Sequence, residues 1–87
     1  MIPTNRALEP AAILAGIAAV AREHLGWEGP VTSEMRLVED LRLDSIRLLT
    51  LAAEVENRFE VLLGEEDEAG IETVGDLVRI VERQLAG

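Results

Sequence analysis

The sequence predicts a small all-α fold, a four-helix bundle with three main helices, one short helix and a long loop between helices I and II. Three observations carry that expectation. Three stretches place apolar residues at i, i+3 and i+4 spacing. No stretch shows the period-two alternation of a half-buried strand. Pro10, Asp44 and Thr73 stand at the starts of the periodic stretches, and Gly26 and Gly64 follow two of them. With 87 residues, one domain is expected over 1–87, its core lying at about 8–85.

The first helix is expected from Pro10 to Leu25. Pro10 suits the first helical position, where its missing N–H costs nothing. Leu8 and Ile13 are spaced for a hydrophobic staple. Ile13, Leu14, Ile17, Val20, Ala21 and Leu25 form the buried stripe, and Gly26 supplies the stop. Residues Trp27 to Leu43 then read as a loop, with Gly29-Pro30 and Thr32-Ser33 as turn signals. Its apolar residues (Trp27, Val31, Met35, Leu37, Val38, Leu41 and Leu43) are expected to pin it to the bundle. A loop this long in a small domain serves function or straps the structure together.

Asp44 is a good N-cap for a second helix from Ser45 to about Val61. Leu48, Leu51, Ala52, Val55 and Phe59 share one face of it, with Phe59 expected to be buried between helices. After Gly64, the run Glu65-Glu66-Asp67-Glu68, with Ala69 and Ile71, predicts one or two helical turns whose acids suit the positive end of the helix dipole. Thr73, three residues before Asp76, has the form of a capping box opening a last helix to about Leu85. Leu77, Val78, Val81 and Leu85 make its buried stripe.

Acidic residues number 17 and basic residues 8, a formal net charge of −9. That balance repels nucleic acid and anionic lipid, and attracts basic partner surfaces. All eight basic residues are Arg, which points weakly to a GC-rich bacterial genome. No run of ~20 apolar residues is present to span a membrane, and no signal peptide is visible, so a cytoplasmic monomer is expected. Cys, Lys and Tyr are absent, there is one His (His24), and the only serines are Ser33 and Ser45. His24 alone cannot make a metal site, and Ser45 sits in no Gly-x-Ser-x-Gly elbow. With no nucleophile–base pair in evidence, an enzyme is not expected, nor is a metal. Ser45 follows an N-cap Asp at the mouth of a helix, so its hydroxyl should be exposed near free backbone N–H groups. By position alone, a plain helix start is the favoured reading of Asp44-Ser45, because Asp-Ser is common at helix starts.

The stretch VEDLRLDSIRLLTLAAEVENRFE (Val38 to Glu60) resembles the signature of the acyl carrier proteins, the phosphopantetheine-binding carriers. Asp40 and Leu41, then Asp44, Ser45 and Ile46, then Glu56 and Phe59 fill its places, and Thr73-Val74-Gly75-Asp76-Leu77-Val78 resembles the start of the family's last helix. The resemblance spans roughly Ile13 to Leu85. It implies a free-standing carrier that tethers acyl intermediates as thioesters on 4′-phosphopantetheine attached to Ser45, installed by a phosphopantetheinyl transferase from coenzyme A. Acyl- or aminoacyl-loading and acyl-processing enzymes would be its partners. It also implies docking through the start and exposed face of helix II, around Asp44, Ile46, Arg47, Thr50 and Glu54.

The chain departs from the family pattern in two places. Arg42 stands where a glycine usually follows the Asp-Leu pair, and Arg47, Thr50, Asn57 and Arg58 interrupt a helix face that is densely acidic in carriers of primary fatty acid synthesis. The departures suggest a specialised fatty-acid, polyketide or related pathway. A peptidyl or aminoacyl carrier loaded by an adenylating enzyme is the alternative, although the Gly-Gly usual before its serine is missing. A non-carrier helical adaptor, binding a basic partner by its acidic face, is a third.

Overall fold

In the computed structural model, which describes residues 9–64, 67 and 69–86, Pro10 opens the first helix, α1 (Pro10–Leu25). Glu9 stands at the N-cap without a side-chain cap bond. Leu8, the expected staple partner of Ile13, lies outside the described residues. At the other end Gly26 has φ 69°, and its N–H and that of Trp27 both donate to the Ala21 carbonyl. A side chain with a Cβ resists this left-handed conformation, so the helix stops where glycine makes it cheap.

The second helix, α2 (Ser45–Phe59), begins where expected: the Asp44 carboxylate accepts the Arg47 N–H at 2.8 Å. It ends two residues before the expected Val61. Glu60 takes φ 56°, and the N–H groups of Glu60 and Val61 both donate to the Glu56 carbonyl. The Glu56 carboxylate then accepts the Leu63 N–H at 2.8 Å. One glutamate thus closes the helix with its backbone and fixes the following turn with its side chain. Val61 and Leu63 turn into the core instead of extending the helical stripe.

The last helix, α3 (Val74–Ala86), is opened by a reciprocal cap. The Thr73 hydroxyl accepts the Asp76 N–H at 3.1 Å, and the Asp76 carboxylate accepts the N–H groups of Thr73 at 3.0 Å and Glu72 at 2.9 Å. These bonds hold the Asp76 carboxyl below its usual range, the Glu72 N–H contributing most and the Thr73 N–H next, with the Arg79 guanidinium adding to them. Of the acidic run expected to form the short helix, residues 65, 66 and 68 lie outside the described residues, while Asp67 and Ala69 are helical and the Gly70 N–H donates to the Asp67 carbonyl at 3.1 Å. The described residues therefore show an all-helical fold of three helices without strands, apart from one isolated antiparallel bridge between Arg36 and Thr73.

α1 packs against both α2 and α3. Ile13, Ile17 and Val20 of α1 meet Leu51 and Val55 of α2 and Val74, Leu77 and Val81 of α3 in a core whose buried side chains are all apolar. Each such side chain contributes roughly 1.5–3 kcal/mol when fully withdrawn from water. The long loop adds Leu37, Leu41 and Leu43, with Trp27, Val31 and Met35 half-buried against them. Val38, expected among the pins, is exposed instead. The loop is a strap: the Ser33 and Met35 carbonyls accept the Gly75 and Val74 N–H groups at 2.9 Å each, and the Leu37 N–H donates to the Glu72 carbonyl at 3.0 Å. Loop carbonyls thereby satisfy donors that the first turn of α3 leaves without partners. Gly75 eases the approach, since a Cβ there would lie 3.1 Å from the Ser33 carbonyl oxygen, tighter than ordinary contact.

Phe59 corrects an expectation. It is half-buried rather than enclosed between helices, with its ring on Gly16 of α1, where an added Cβ would meet the ring at a distance no packing tolerates. The last turn of α2 reaches the edge of the α1 surface, so one side of the ring stays in water.

Candidate functional site

Ser45 is the first residue of α2 and is exposed. Its position is fixed from both sides: Leu43 is buried just before it, Leu51 anchors the helix after it, and the Asp44 cap sets the angle between them. Asp44 takes the Arg47 N–H, so the Ser45 and Ile46 N–H groups remain as the donors that a helix start leaves open. A phosphodiester at the Ser45 oxygen would face these donors and the positive end of the helix dipole. Ser33, the other serine, lies in the strap with its carbonyl committed to Gly75.

The motif residues before Ser45 shape the approach to it. The Asp40 carboxylate accepts the Arg36 N–H at 2.7 Å, while the Asp40 and Leu41 N–H groups donate to the Arg36 carbonyl, closing a turn that buries Leu41. Arg42 then takes φ 61°. That left-handed backbone is the physical reason for glycine at this position in the pattern the sequence resembles, and an arginine holds it here at a conformational cost.

The structure gives the five residues expected to dock partners different surroundings. Ile46 is 73% exposed and open to an approaching surface. The Asp44 side chain is used as a cap, and the Thr50 hydroxyl donates to the Ile46 carbonyl at 3.0 Å. The Arg47 guanidinium reaches across to α1 and donates to the Leu25 carbonyl at 3.1 Å, where a cation complements the negative end of the α1 dipole. Glu54 lies 3.4 Å from His24 of α1. Both glutamates of α2 thus lie beside partners within the molecule, Glu54 beside His24 and Glu56 bonded to the Leu63 N–H. The outward stripe of α2 runs through Ile46, Leu49, Ala53 and Asn57, all exposed and all uncharged, with Leu49 63% exposed. Sequence reasoning missed Leu49 as a surface residue because its spacing fits an inward stripe as well as an outward one.

Beside this stripe a crevice of about 90 Å³ opens between α2 and the segment leading to α3, lined by Leu48, Leu49, Ala52, Leu63 and Ile71 among others. Among the described residues no group of His, Asp and Glu is arranged to hold a metal ion, and no helix is long and apolar enough to cross a membrane.

Comparison with known proteins agrees with this geometry. The family model for the phosphopantetheine attachment site matches residues 14–81. The meromycolate extension acyl carrier protein of Mycobacterium leprae is 38% identical over 72 residues, which cover 82% of this chain and 63% of that protein. The chain thus spans about 63% of the length of that relative. The acyl carrier protein of Kocuria rhizophila is 35% identical over 75 residues, covering 85% of this chain and 93% of that one. Among solved structures, an acyl carrier protein of Mycobacterium tuberculosis superposes with a TM-score of 0.73 at 31% identity, covering 77% of this chain and 90% of the other. Proteins of this kind are carriers rather than catalysts. Their covalent group is 4′-phosphopantetheine. On this evidence the chain belongs to the acyl carrier proteins, the family defined by a phosphopantetheine attachment site.

Proposed function

We propose that Ser45 is the attachment site and that this chain carries acyl groups as thioesters on a 4′-phosphopantetheine arm bound there. The observation that carries the proposal is the placement of Ser45: an exposed hydroxyl on the first residue of α2, inside Asp44-Ser45-Ile46, with open backbone donors beside it. The transferase would move the arm from coenzyme A to the serine oxygen, which loses its proton and releases adenosine 3′,5′-bisphosphate. When bound, the group supplies the thiol that a Cys-free chain lacks. The protein's own part is to hold Ser45 at a rigid helix start and present a recognition surface around it.

That surface is α2, entered at Asp44 and Ile46 and continued through Leu49, with Arg47, Thr50 and Glu54 along its edge toward α1. Because its outward stripe is uncharged, partners would recognise it mainly through apolar contact, which favours a specialised fatty-acid, polyketide or related pathway over enzymes shaped for an acidic helix. Similarity to meromycolate extension carriers supports an acyl-extension pathway. The carrier acts as a cytoplasmic monomer in this reading. Incubation with coenzyme A and a broad-range transferase should add one arm by intact mass. A loaded acyl group should then be released by hydroxylamine, as a thioester is. Folded chain that accepts no arm would refute the function.

A further inference from the structure

A second cavity lies near Ser45, lined by residues on both sides of it in the chain. It has a volume of about 220 Å³ and sits between the end of α1, the last residues of the strap and the first turn of α2. Leu25, Trp27, Leu41 and Leu43 give it apolar walls, and Arg42 and Arg47 are the only charged residues lining it. In a chain with 17 acids and 8 arginines, a cavity with two arginines and no acid is locally opposite in sign to the protein as a whole. Leu43 and Arg47 are each two residues from Ser45, so the cavity wall begins within about 7 Å of it along the chain.

The walls are held in place before any ligand arrives. The Trp27 indole N–H donates to the Pro30 carbonyl at 3.1 Å, and one Arg47 nitrogen donates to the Leu25 carbonyl at 3.1 Å. A guanidinium has five N–H donors, so Arg47 keeps others for an anion. Among the described residues Arg42 pairs with no acid. It also occupies a left-handed backbone, φ 61°, where glycine would be the less costly residue. A side chain kept at such a position points to a use for that side chain.

We propose that this cavity binds the carboxylate end of a dicarboxylic acyl cargo, its methylenes against Trp27 and the leucines and its carboxylate between Arg42 and Arg47. The proposal rests on the arm being attached to Ser45. Its test compares two arms of equal length, succinyl and butyryl, delivered as coenzyme A thioesters by a broad-range transferase, with the unacylated arm as control. On ¹³C-labelled succinyl cargo, NMR titration should show the carboxyl pKa lower by about one unit than in the Arg42→Gly variant, as a carboxylate beside arginine behaves. Trp27 emission should shift with succinyl and stay unchanged with butyryl or the free thiol. Arg42→Gly is suited to the backbone there, so it keeps the fold, and Arg47→Gln supplies a second variant with the same expected loss. A succinyl pKa equal in wild type and both variants, or a Trp27 shift already complete with butyryl or the bare arm, overturns the proposal. Failure to load any arm would instead refute Ser45 as the attachment site.

Discussion

Asp76→Ala removes three interactions at the start of α3 at once. The carboxylate accepts N–H groups from Glu72 at 2.9 Å and Thr73 at 3.0 Å, and pairs with Arg79. Hydrogen bonds to a charged acceptor contribute about 1.5–3 kcal/mol each when buried, but this side chain is 21% exposed and water can replace part of what is lost. The Arg79 pair is solvent-facing and adds little. Loss of a helix cap costs typically ~1 and up to ~2 kcal/mol, so the expected total is about 2 kcal/mol, with Thr73→Ala costing about 1 kcal/mol. Urea titration by circular dichroism measures both. The effect should also depend on pH. The folded-state carboxyl of Asp76 lies below its unfolded value, so its contribution is complete above about pH 4 and fades as pH falls through the folded value. The stability gap between wild type and Asp76→Ala should therefore be constant near neutrality and narrow in acid. A loss under about 0.5 kcal/mol at pH 7, within the range of neutral surface changes, or a gap that does not narrow, would refute the reasoning.

Phe59→Ala should cost about 1–2 kcal/mol in the same titration, less than the ~3–5 kcal/mol of a fully buried Phe, because one side of the ring is in water. Glu60→Gly should raise stability by about 0.5–1 kcal/mol, since relief of a left-handed residue exceeds the added unfolded-chain entropy, as read from the urea midpoint. Ile46→Glu or Leu49→Glu should lower kcat/KM for arm transfer by about tenfold, as loss of a central apolar contact does, with far-ultraviolet circular dichroism unchanged.

The helices were largely legible because their ends are chemically marked. Pro10 and Gly26 bound α1, Asp44 opens α2, and the Thr73–Asp76 pair opens α3. The end of α2 was not legible, because Glu60 carries no sign that it will take a positive φ; the cause lies in Glu56 reaching forward to Leu63. At the site, the position of Ser45 followed from local sequence, whereas the fates of its neighbours did not. Arg47 reaches Leu25, 22 residues away in the chain, and Glu54 reaches His24, 30 residues away, so composition suggested charge on a helix face that the fold draws inward. The strap shows the same limit: its apolar residues foretold that it packs, but not that its carbonyls cap α3.

Site mapping after arm transfer tests the central claim most directly. Proteolysis and fragment mass spectrometry of the modified chain should place the arm on Ser45, and Ser45→Ala should abolish transfer while Ser33→Ala leaves it intact. Transfer to Ser33, or undiminished transfer to folded Ser45→Ala protein, would contradict the account.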